Sequence, residues 1–149
     1  MKFSTKGRYG LKAMLDLAVH NSEGQVVLKS IAERQGLSEN YLEQLFAILK
    51  KAKLVKSVRG SQGGYSLIDS PDKITVGDIL RALEGPLVLN ECVAKSGETC
   101  SSDYNCCVTR GVWRKIQEGI DTVADSITLQ QLVEDFSNGR SHEENMFYI

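Results

Sequence analysis

Residues 28–67 have the sequence "LKSIAERQGLSENYLEQLFAILKKAKLVKSVRGSQGGYSL". A short segment with helical apolar spacing leads to Gly36, which can adopt a positive φ, and to Ser38, a typical helix N-cap. A longer amphipathic segment and two alternating runs around RGSQGG follow. This order of helix, glycine turn, helix and hairpin predicts a winged helix-turn-helix.

The flanking segments complete this architecture. Apolar spacing predicts a first helix over about residues 5–20. A capping box at Thr75 predicts a helix over about residues 75–84, and a second capping box at Thr128 predicts a short helix after it. Between them, apolar residues recur at heptad spacing, namely Trp113, Ile116, Ile120, Val123 and Ile127. This spacing predicts a dimerisation helix, and a helix packed on its own domain is the alternative. We therefore predict a mainly α fold with a small β-hairpin wing, in which a winged helix-turn-helix precedes a long dimerisation helix.

The outer face of the second helix of the motif suits the major groove of DNA. Asn40 and Gln44 carry amide groups that can read adenine, and Glu43 can accept a hydrogen bond from cytosine. Arg59, at the base of the hairpin loop, suits a narrow minor groove, and the neighbouring lysines suit phosphates. The alternative is an ordinary solvated helix face beside a basic hairpin.

Charge divides the chain into a basic and an acidic part. Residues 1–60 hold eleven Lys/Arg and five Asp/Glu, a net charge of +6. Residues 61–149 hold seven against fourteen, a net charge of −7, and the formal total is −1. A polyanion would therefore meet the N-terminal part. A chance division between two solvated surfaces would give the same numbers.

Length and composition favour one globular domain and exclude several classes of protein. The chain has 149 residues, of which 42% are apolar and 25% charged, enough for a core of its own. No apolar run approaches the ~20 residues that span a bilayer, and the start has no signal-peptide pattern, so we expect a cytoplasmic protein outside the membrane. The chain has no phosphate loop and no set of nucleophile, base and orienting residue, so we expect no enzyme activity.

All four cysteines lie between residues 92 and 107, in a polar segment. In the cytosol, clustered thiols favour metal or redox chemistry over structural disulfides. Thiolates on such a loop can converge on one soft metal centre, and we favour an iron–sulfur cluster. A metal-free thiol switch, structural zinc and inert cysteines are the alternatives. Zinc is disfavoured because Cys106 and Cys107 are adjacent and the paired C-x-x-C spacing is missing.

Three segments resemble the Rrf-two (Rrf2) family of bacterial winged-helix regulators: "STKGRYGLKAMLDLA", residues 28–67 and "ITVGDILRALEG". The similarity is close over about residues 2–90 and looser to about residue 135. It implies a homodimeric repressor that binds a palindromic operator in double-stranded DNA, with the base-reading region at residues 38–44 and the wing at residues 59–65. The predicted DNA-binding residues are Ser38, Asn40, Tyr41, Glu43, Gln44, Lys51, Arg59, Ser61, Gln62 and Tyr65.

The same resemblance bears on the cysteines. Cluster-binding members carry three cysteines in this segment, followed by a C-x-T-x-x-x-W run, which here begins at Cys107. The resemblance therefore implies an iron–sulfur cluster that controls DNA affinity, with the 2Fe–2S type favoured over 4Fe–4S. The implied ligands are Cys92, Cys100 and Cys107, with Cys106 as the alternative.

The fourth cluster ligand stays open. Cluster-binding members have a histidine three residues after the third cysteine, where this chain has Arg110. The chain's two histidines, His20 and His142, are remote in sequence. Cys106, Asp103, a residue of the partner subunit or a small thiol are the candidates.

The chain ends in "HEENMFYI", an apolar terminus on a polar tail. Docking onto the same dimer would account for it. Cysteine-metabolism repressors of the family lack the cysteine cluster but end similarly. This resemblance implies that the terminal carboxylate enters the active site of O-acetylserine sulfhydrylase, so that the enzyme acts as a corepressor. The partner-binding residues would be Met146, Phe147, Tyr148 and Ile149.

These predictions divide the chain into four parts. Residues 1–85 form the winged helix-turn-helix domain, and residues 86–107 form a cysteine-bearing loop. Residues 108–136 form the dimerisation helix with the short helix after it, and residues 137–149 form the C-terminal tail.

Overall fold

The computed structural model describes residues 2–60, 63–94 and 104–146. In chain order, the helices and strands of these residues are α1 Thr5–His20, α2 Leu28–Gln35, α3 Glu39–Lys51, β1 Val55–Ser57, β2 Tyr65–Leu67, α4 Val76–Glu84, α5 Tyr104–Ser126 and α6 Leu129–Met146. Single turns of 3₁₀ helix lie at Asn21–Glu23, Pro71–Lys73 and Glu91–Val93. The prediction of a mainly α fold with a hairpin wing is confirmed.

The core lies where α1 to α4 and the hairpin meet. The apolar faces of the first three helices are buried there, through Met14, Leu17, Ile31, Leu42, Leu45, Phe46 and Leu49. Val55 of β1, Ile79 of α4 and Leu129 of α6 complete the same cluster. Because each helix has one apolar stripe, burying these stripes together removes them all from water and fixes how the helices pack.

The turn between α2 and α3 depends on two residues that the sequence singles out. Gly36 ends α2 in the left-handed region, with φ of 65° and ψ of 34°. The next amide, of Leu37, donates to the Ala32 carbonyl at 3.0 Å. Ser38 then caps α3, and its hydroxyl accepts from the Tyr41 N–H at 3.2 Å. A side chain with a Cβ is disfavoured at Gly36, so glycine makes this turn possible at low cost.

The wing is a two-stranded antiparallel hairpin tied to the helices by a third segment. Val55 pairs with Leu67 and Ser57 pairs with Tyr65. Val26, ahead of α2, forms an additional antiparallel bridge to Tyr65, with N–H to O distances of 2.8 Å in both directions. Since an isolated hairpin is marginally stable, this bridge anchors the wing beside the helix-turn-helix.

Two predicted capping boxes begin α4 and α6. Thr75 accepts from the Asp78 N–H at 3.0 Å, and the Asp78 side chain accepts from the Thr75 N–H at 3.0 Å. Thr128 and Gln131 make the equivalent pair at 3.2 and 2.9 Å. Thr75 and Thr128 also bridge each other, so the start of α4 and the turn between α5 and α6 are held together.

The C-terminal boundaries differ from the predicted ones. Helix α5 begins at Tyr104, so Cys106 and Cys107 belong to its first turn and the predicted loop to residue 107 is too long. Helix α6 continues to Met146, so the short helix predicted to end at residue 136 is also wrong. The sequence is polar from residue 137 to residue 145, so no apolar spacing indicated that α6 continues.

Candidate nucleic-acid interface and cysteine segment

Helix α3 presents its predicted base-reading face to solvent. Leu42, Leu45, Phe46 and Leu49 of this helix are buried in the core, which turns the opposite side outward. The exposed positions include the predicted contacts Ser38, Asn40, Glu43, Gln44 and Lys51. The structure therefore places these five residues on one accessible side of the motif.

Two predicted contact residues have packing roles of their own. The Tyr41 hydroxyl lies 3.4 Å from Thr5 Oγ1, and its ring meets the Tyr9 ring edge-on at 6.2 Å. The Tyr65 ring lies 4.9 Å from the Phe46 ring, at the edge of the core. Both tyrosines are half-buried, so the removal of either ring would disturb the fold as well as any DNA contact.

The wing carries Arg59 on an exposed loop. Val58 donates to the Gly64 carbonyl at 2.8 Å, and Gly63 donates to the Gly60 carbonyl at 3.2 Å, which closes the loop around residues 60–63. Arg59 is exposed at the start of this loop. The predicted contacts Ser61 and Gln62 lie outside the described residues.

Basic residues of α1 were absent from the predicted interface. Arg8 and Lys12 each lie 5.8 Å from the centre of the Tyr9 ring, and Tyr9 packs against Tyr41 of α3. Two cations therefore lie beside the aromatic pair that packs on the N-terminal turn of α3. The four-residue spacing of Arg8 and Lys12 on one helix, in the basic part of the chain, is the sequence signal that could have identified them.

The cysteine segment begins and ends on α5. Cys92 lies in the 3₁₀ turn Glu91–Val93, which packs against α5, while Cys106 and Cys107 lie in the first turn of that helix. The structure describes the backbone of these residues but not their side chains, and Cys100 and Asp103 lie outside the described residues. A set of three or four thiols suits a soft metal centre and suits a hard cation poorly. The donor chemistry therefore fits an iron–sulfur cluster.

Gln117 joins the residues ahead of Cys92 to α5. Its Nε2 donates to the Leu87 carbonyl, and its Oε1 accepts from the Leu89 N–H at 2.9 Å. Leu87 is buried. The backbone of residues 87–89 is thus fixed on α5 before the chain reaches Cys92.

An ion-pair cluster joins α4 to α5. Arg81 donates to Asp125 at 2.6 Å and to Asp121 at 3.1 Å. These contacts raise the pKa of Arg81, and the hydrogen bond from Arg81 lowers the pKa of Asp125. Gly77 permits this approach, because a Cβ there would overlap the Asp125 carboxylate.

A carboxylate of α4 holds the start of α1. Glu84 Oε1 accepts from the Ser4 hydroxyl at 2.6 Å and from the N–H groups of Ser4 and Gly7 at 2.9 Å each. The Ser4 hydroxyl hydrogen bond is the main cause of the lowered pKa of Glu84. A negative charge at a helix N-terminus is favourable because the free N–H groups point towards it.

The apolar seam of α5 is open to solvent in the single chain. Trp113 is 39%, Ile116 44% and Val123 59% exposed. The seam borders an apolar groove of about 530 Å³ that Leu80 and Leu87 also line. Exposed apolar surface of this extent is typical of a protein–protein interface.

The model of the Rrf2 family, described as an iron-dependent transcriptional regulator, matches residues 3–135. The chain belongs to the Rrf2 family. This membership confirms the resemblance carried by the helix-turn-helix and wing segments. It identifies the chain as a transcriptional regulator and not an enzyme.

Regulators named CymR and IscR are among the similar proteins. The chain is 47% identical to the HTH-type transcriptional regulator CymR of Bacillus subtilis over 149 residues, 100% of both chains. The solved structure of CymR, the global cysteine regulator of B. subtilis, has a TM-score of 0.77, covering 90% of this chain and 97% of that one at 46% identity.

Other similar proteins are named IscR. The solved T. potens IscR has a TM-score of 0.71 and 55% identity, covering 91% of this chain and 88% of that one. The regulator IscR of Aliivibrio salmonicida is 45% identical over 135 residues, 91% of this chain and 79% of that protein.

None of the helices in the described part of the chain has the length and apolar character that a membrane span requires.

Proposed function

We propose that the chain is a homodimeric repressor whose operator affinity depends on an iron–sulfur cluster held by Cys92, Cys100 and Cys107. The observation that carries this proposal is the position of the cysteine segment, both ends of which meet α5, the helix that also bears the apolar seam. The description of the family as iron-dependent supports it. Cluster-binding members of the family, which this chain resembles, have three cysteines and the run from Cys107 to Trp113.

The DNA side of the proposal follows from the exposed face of α3. Asn40 and Gln44 read adenine, and Glu43 selects cytosine and disfavours alternatives, because an unpaired carboxylate near phosphates lowers affinity. Arg59 enters the adjacent minor groove, while Lys51, Arg8 and other cations bind phosphates without reading sequence. A two-fold dimer presents two such faces to a palindromic operator.

The cysteine side of the proposal rests on thiolate chemistry. When bound, a cluster supplies a centre that changes oxidation state or dissociates in response to the cell. The chain's own part is to place the turn that contains Cys92 against α5, whose first turn contains Cys107. We expect a labile cluster, because Arg110 stands where cluster-binding members have a histidine ligand.

The test is anaerobic purification followed by iron and acid-labile sulfide analysis and visible spectroscopy. We expect absorption at roughly 400 nm from thiolate-to-iron charge transfer. Cys107→Ala should remove the absorption, and the matched variant Cys106→Ala should retain it. Operator DNA selected from a random pool then allows anisotropy measurements with and without the cluster. A colourless protein after reconstitution, or equal affinity of the two forms, would refute the proposal and leave a thiol switch.

A second candidate function is control by a metabolic enzyme through the C-terminus. The observation that favours it is the match to CymR over the full length of both chains, tail included. The proposed partner-binding residues are Met146 to Ile149, of which Phe147, Tyr148 and Ile149 lie outside the described residues. A free carboxylate beside an apolar side chain suits the site of an enzyme that binds amino acids.

Deletion of residues 147–149 tests this second function. Purified O-acetylserine sulfhydrylase is titrated with the full-length and truncated proteins by calorimetry. We expect binding by the full-length protein and none by the truncated one, with the same cluster content in both. Equal binding, or no binding by either, would contradict the role of the tail.

A further inference from the structure

A side chain of α5, that of Gln117, hydrogen-bonds the backbone that leads to Cys92. The Gln117 amide donates to Leu87 and accepts from Leu89, so it pairs with the backbone as a neighbouring strand would. Leu89 lies three residues before Cys92. A displacement of the Cys92 turn therefore acts on α5 directly instead of being absorbed by a free loop.

Gln117 is also part of the polar contacts that reach α4. Its Nε2 lies 3.4 Å from Asp121 Oδ2, one helical turn further along α5. Asp121 Oδ1 in turn accepts from Arg81 at 3.1 Å. Arg81 is held at the same time by Asp125. Polar contacts thus connect the residues ahead of Cys92 to α5, and α5 to α4.

From α4 the contacts continue into the DNA-binding motif. Glu84, one turn beyond Arg81, accepts hydrogen bonds from Ser4 and Gly7 at the start of α1. Thr5, which follows Ser4 in the chain, has its hydroxyl oxygen 3.4 Å from the Tyr41 hydroxyl. Tyr41 belongs to the first turn of α3, which presents the base-reading side chains.

We propose that Gln117 is a positioning residue that transmits the ligand state of Cys92 to α3. The inference rests on the proposed function, because it assumes that operator affinity depends on the cysteine segment. Ligation of Cys92 sets the position of residues 87–89, Gln117 imposes that position on α5, and Asp121 with Arg81 passes it to α4. The cysteine site and the operator site then share one coupling free energy.

The experiment compares Gln117→Leu with Gln130→Leu in the full-length protein. Gln117→Leu keeps the approximate size of the side chain and removes both backbone hydrogen bonds. Gln130→Leu, the matched control, removes a 3.1 Å hydrogen bond to Glu134 within α6. For each protein, iron, sulfide and the visible spectrum are measured first. Operator Kd is then measured with and without the cluster, and the ratio of the two values is the quantity compared.

We expect Gln117→Leu to keep the spectrum while its Kd ratio moves at least about fivefold towards one, a change within the usual range of such couplings. Gln130→Leu should keep the wild-type ratio. An unchanged ratio in Gln117→Leu contradicts the inference, and so does loss of the cluster, because Gln117 would then build the ligand site only. If Gln117→Leu fails to fold, Gln117→Glu keeps the acceptor for the Leu89 N–H and should give an intermediate ratio, with the wild-type ratio contradicting the inference.

A wild-type Kd ratio of one has a different meaning, because it contradicts the proposed function before any variant is made.

A double variant tests the route from Gln117 to α4. If Gln117 acts through Asp121 and Arg81, Arg81→Gln alone should also move the Kd ratio towards one. Gln117→Leu combined with Arg81→Gln should move it no further than the larger single effect. Independent effects that multiply would contradict transmission through α4.

Discussion

Lys53 adopts a backbone conformation that glycine usually supplies. It follows the end of α3 with a φ of 62°. Its N–H donates to the Lys50 carbonyl at 3.0 Å, and the Leu54 N–H donates to the Leu49 carbonyl at 3.0 Å. This pair of hydrogen bonds is the Schellman arrangement, in which the left-handed residue is most often glycine. The lysine is therefore strained, and its positive charge beside the wing offers a reason for its presence.

We predict that Lys53→Gly stabilises the protein by about 0.5–1 kcal/mol, because relief of the left-handed strain exceeds the added entropy of the unfolded glycine. Chemical denaturation measures the change. The matched variant Lys51→Gly loses the same charge within α3 and should be destabilised by about 0.5–1 kcal/mol. Equal effects of the two substitutions would show that strain at Lys53 contributes nothing.

Glu84 makes stability depend on pH in a defined direction. Its pKa is lowered in the folded protein, mainly by the Ser4 hydroxyl. The stabilising contribution is therefore complete above the ordinary glutamate pKa of about 4.3 and is lost as the pH falls through the lower folded pKa. We predict that Glu84→Gln lowers the free energy of unfolding at neutral pH by about 1 kcal/mol. Urea midpoints of both proteins should converge on acidification, and a difference independent of pH would refute the assignment.

Helix α2 is oriented on α1 by a buried carboxylate. Asp16 is only 6% exposed. It accepts from Arg34 at 2.7–3.1 Å through both oxygens and from Gln35 at 2.9 Å. His20, one turn along α1, contacts the same carboxylate at 3.4 Å. This cluster sets the angle of α2, and through the Gly36 turn it sets the direction of α3.

We predict that Asp16→Ala destabilises the protein by about 2–3 kcal/mol. This loss is smaller than the usual cost of breaking a fully buried ion pair, because the Arg34 side chain is 37% exposed and its charge can be hydrated. Thermal and urea unfolding measure the loss. Glu33→Ala, an exposed acidic neighbour, should change stability by less than about 0.5 kcal/mol. A loss of that small size for Asp16→Ala would contradict the orienting role.

Local signals determine much of this fold, and long-range pairs could not be predicted. Gly36 and the capping threonines act on neighbouring residues, so helix starts and the motif turn follow from the sequence. The contact of Glu84 with Ser4 joins residues 80 positions apart, and no local sequence pattern predicts it. The same holds for Gln117 and the residues ahead of Cys92. The cysteine ligands remain predictions, because thiol spacing alone does not tell which of the adjacent Cys106 and Cys107 faces the others.

Helix α5 combines two features of the protein. Its N-terminal turn carries cysteines, and its length carries the exposed seam that we assign to a second copy of the chain. The seam continues into the apolar groove beside Leu80 and Leu87. In the proposed function, the sensing residues and the two-fold axis therefore lie on this one helix.

We predict that Val123→Asp prevents dimerisation, because a charge in a desolvated seam costs several kcal/mol. Light scattering should show a monomer, and operator affinity should fall at least about tenfold because half-sites are then bound singly. Thr122→Asp, an exposed neighbour off the seam, adds the same charge and should remain a dimer. A dimeric Val123→Asp protein would place the subunit interface elsewhere.

Trp113 is the sole tryptophan of the chain. It stands on the seam of α5, six residues or about 9 Å of helical rise beyond Cys107. Its emission wavelength reports whether the seam is wet or covered, and its intensity is quenched by any absorbing group at the cysteines. One indole thus serves as a natural optical probe of both assembly and cysteine state, so stopped-flow fluorescence can time the two events in the unlabelled protein.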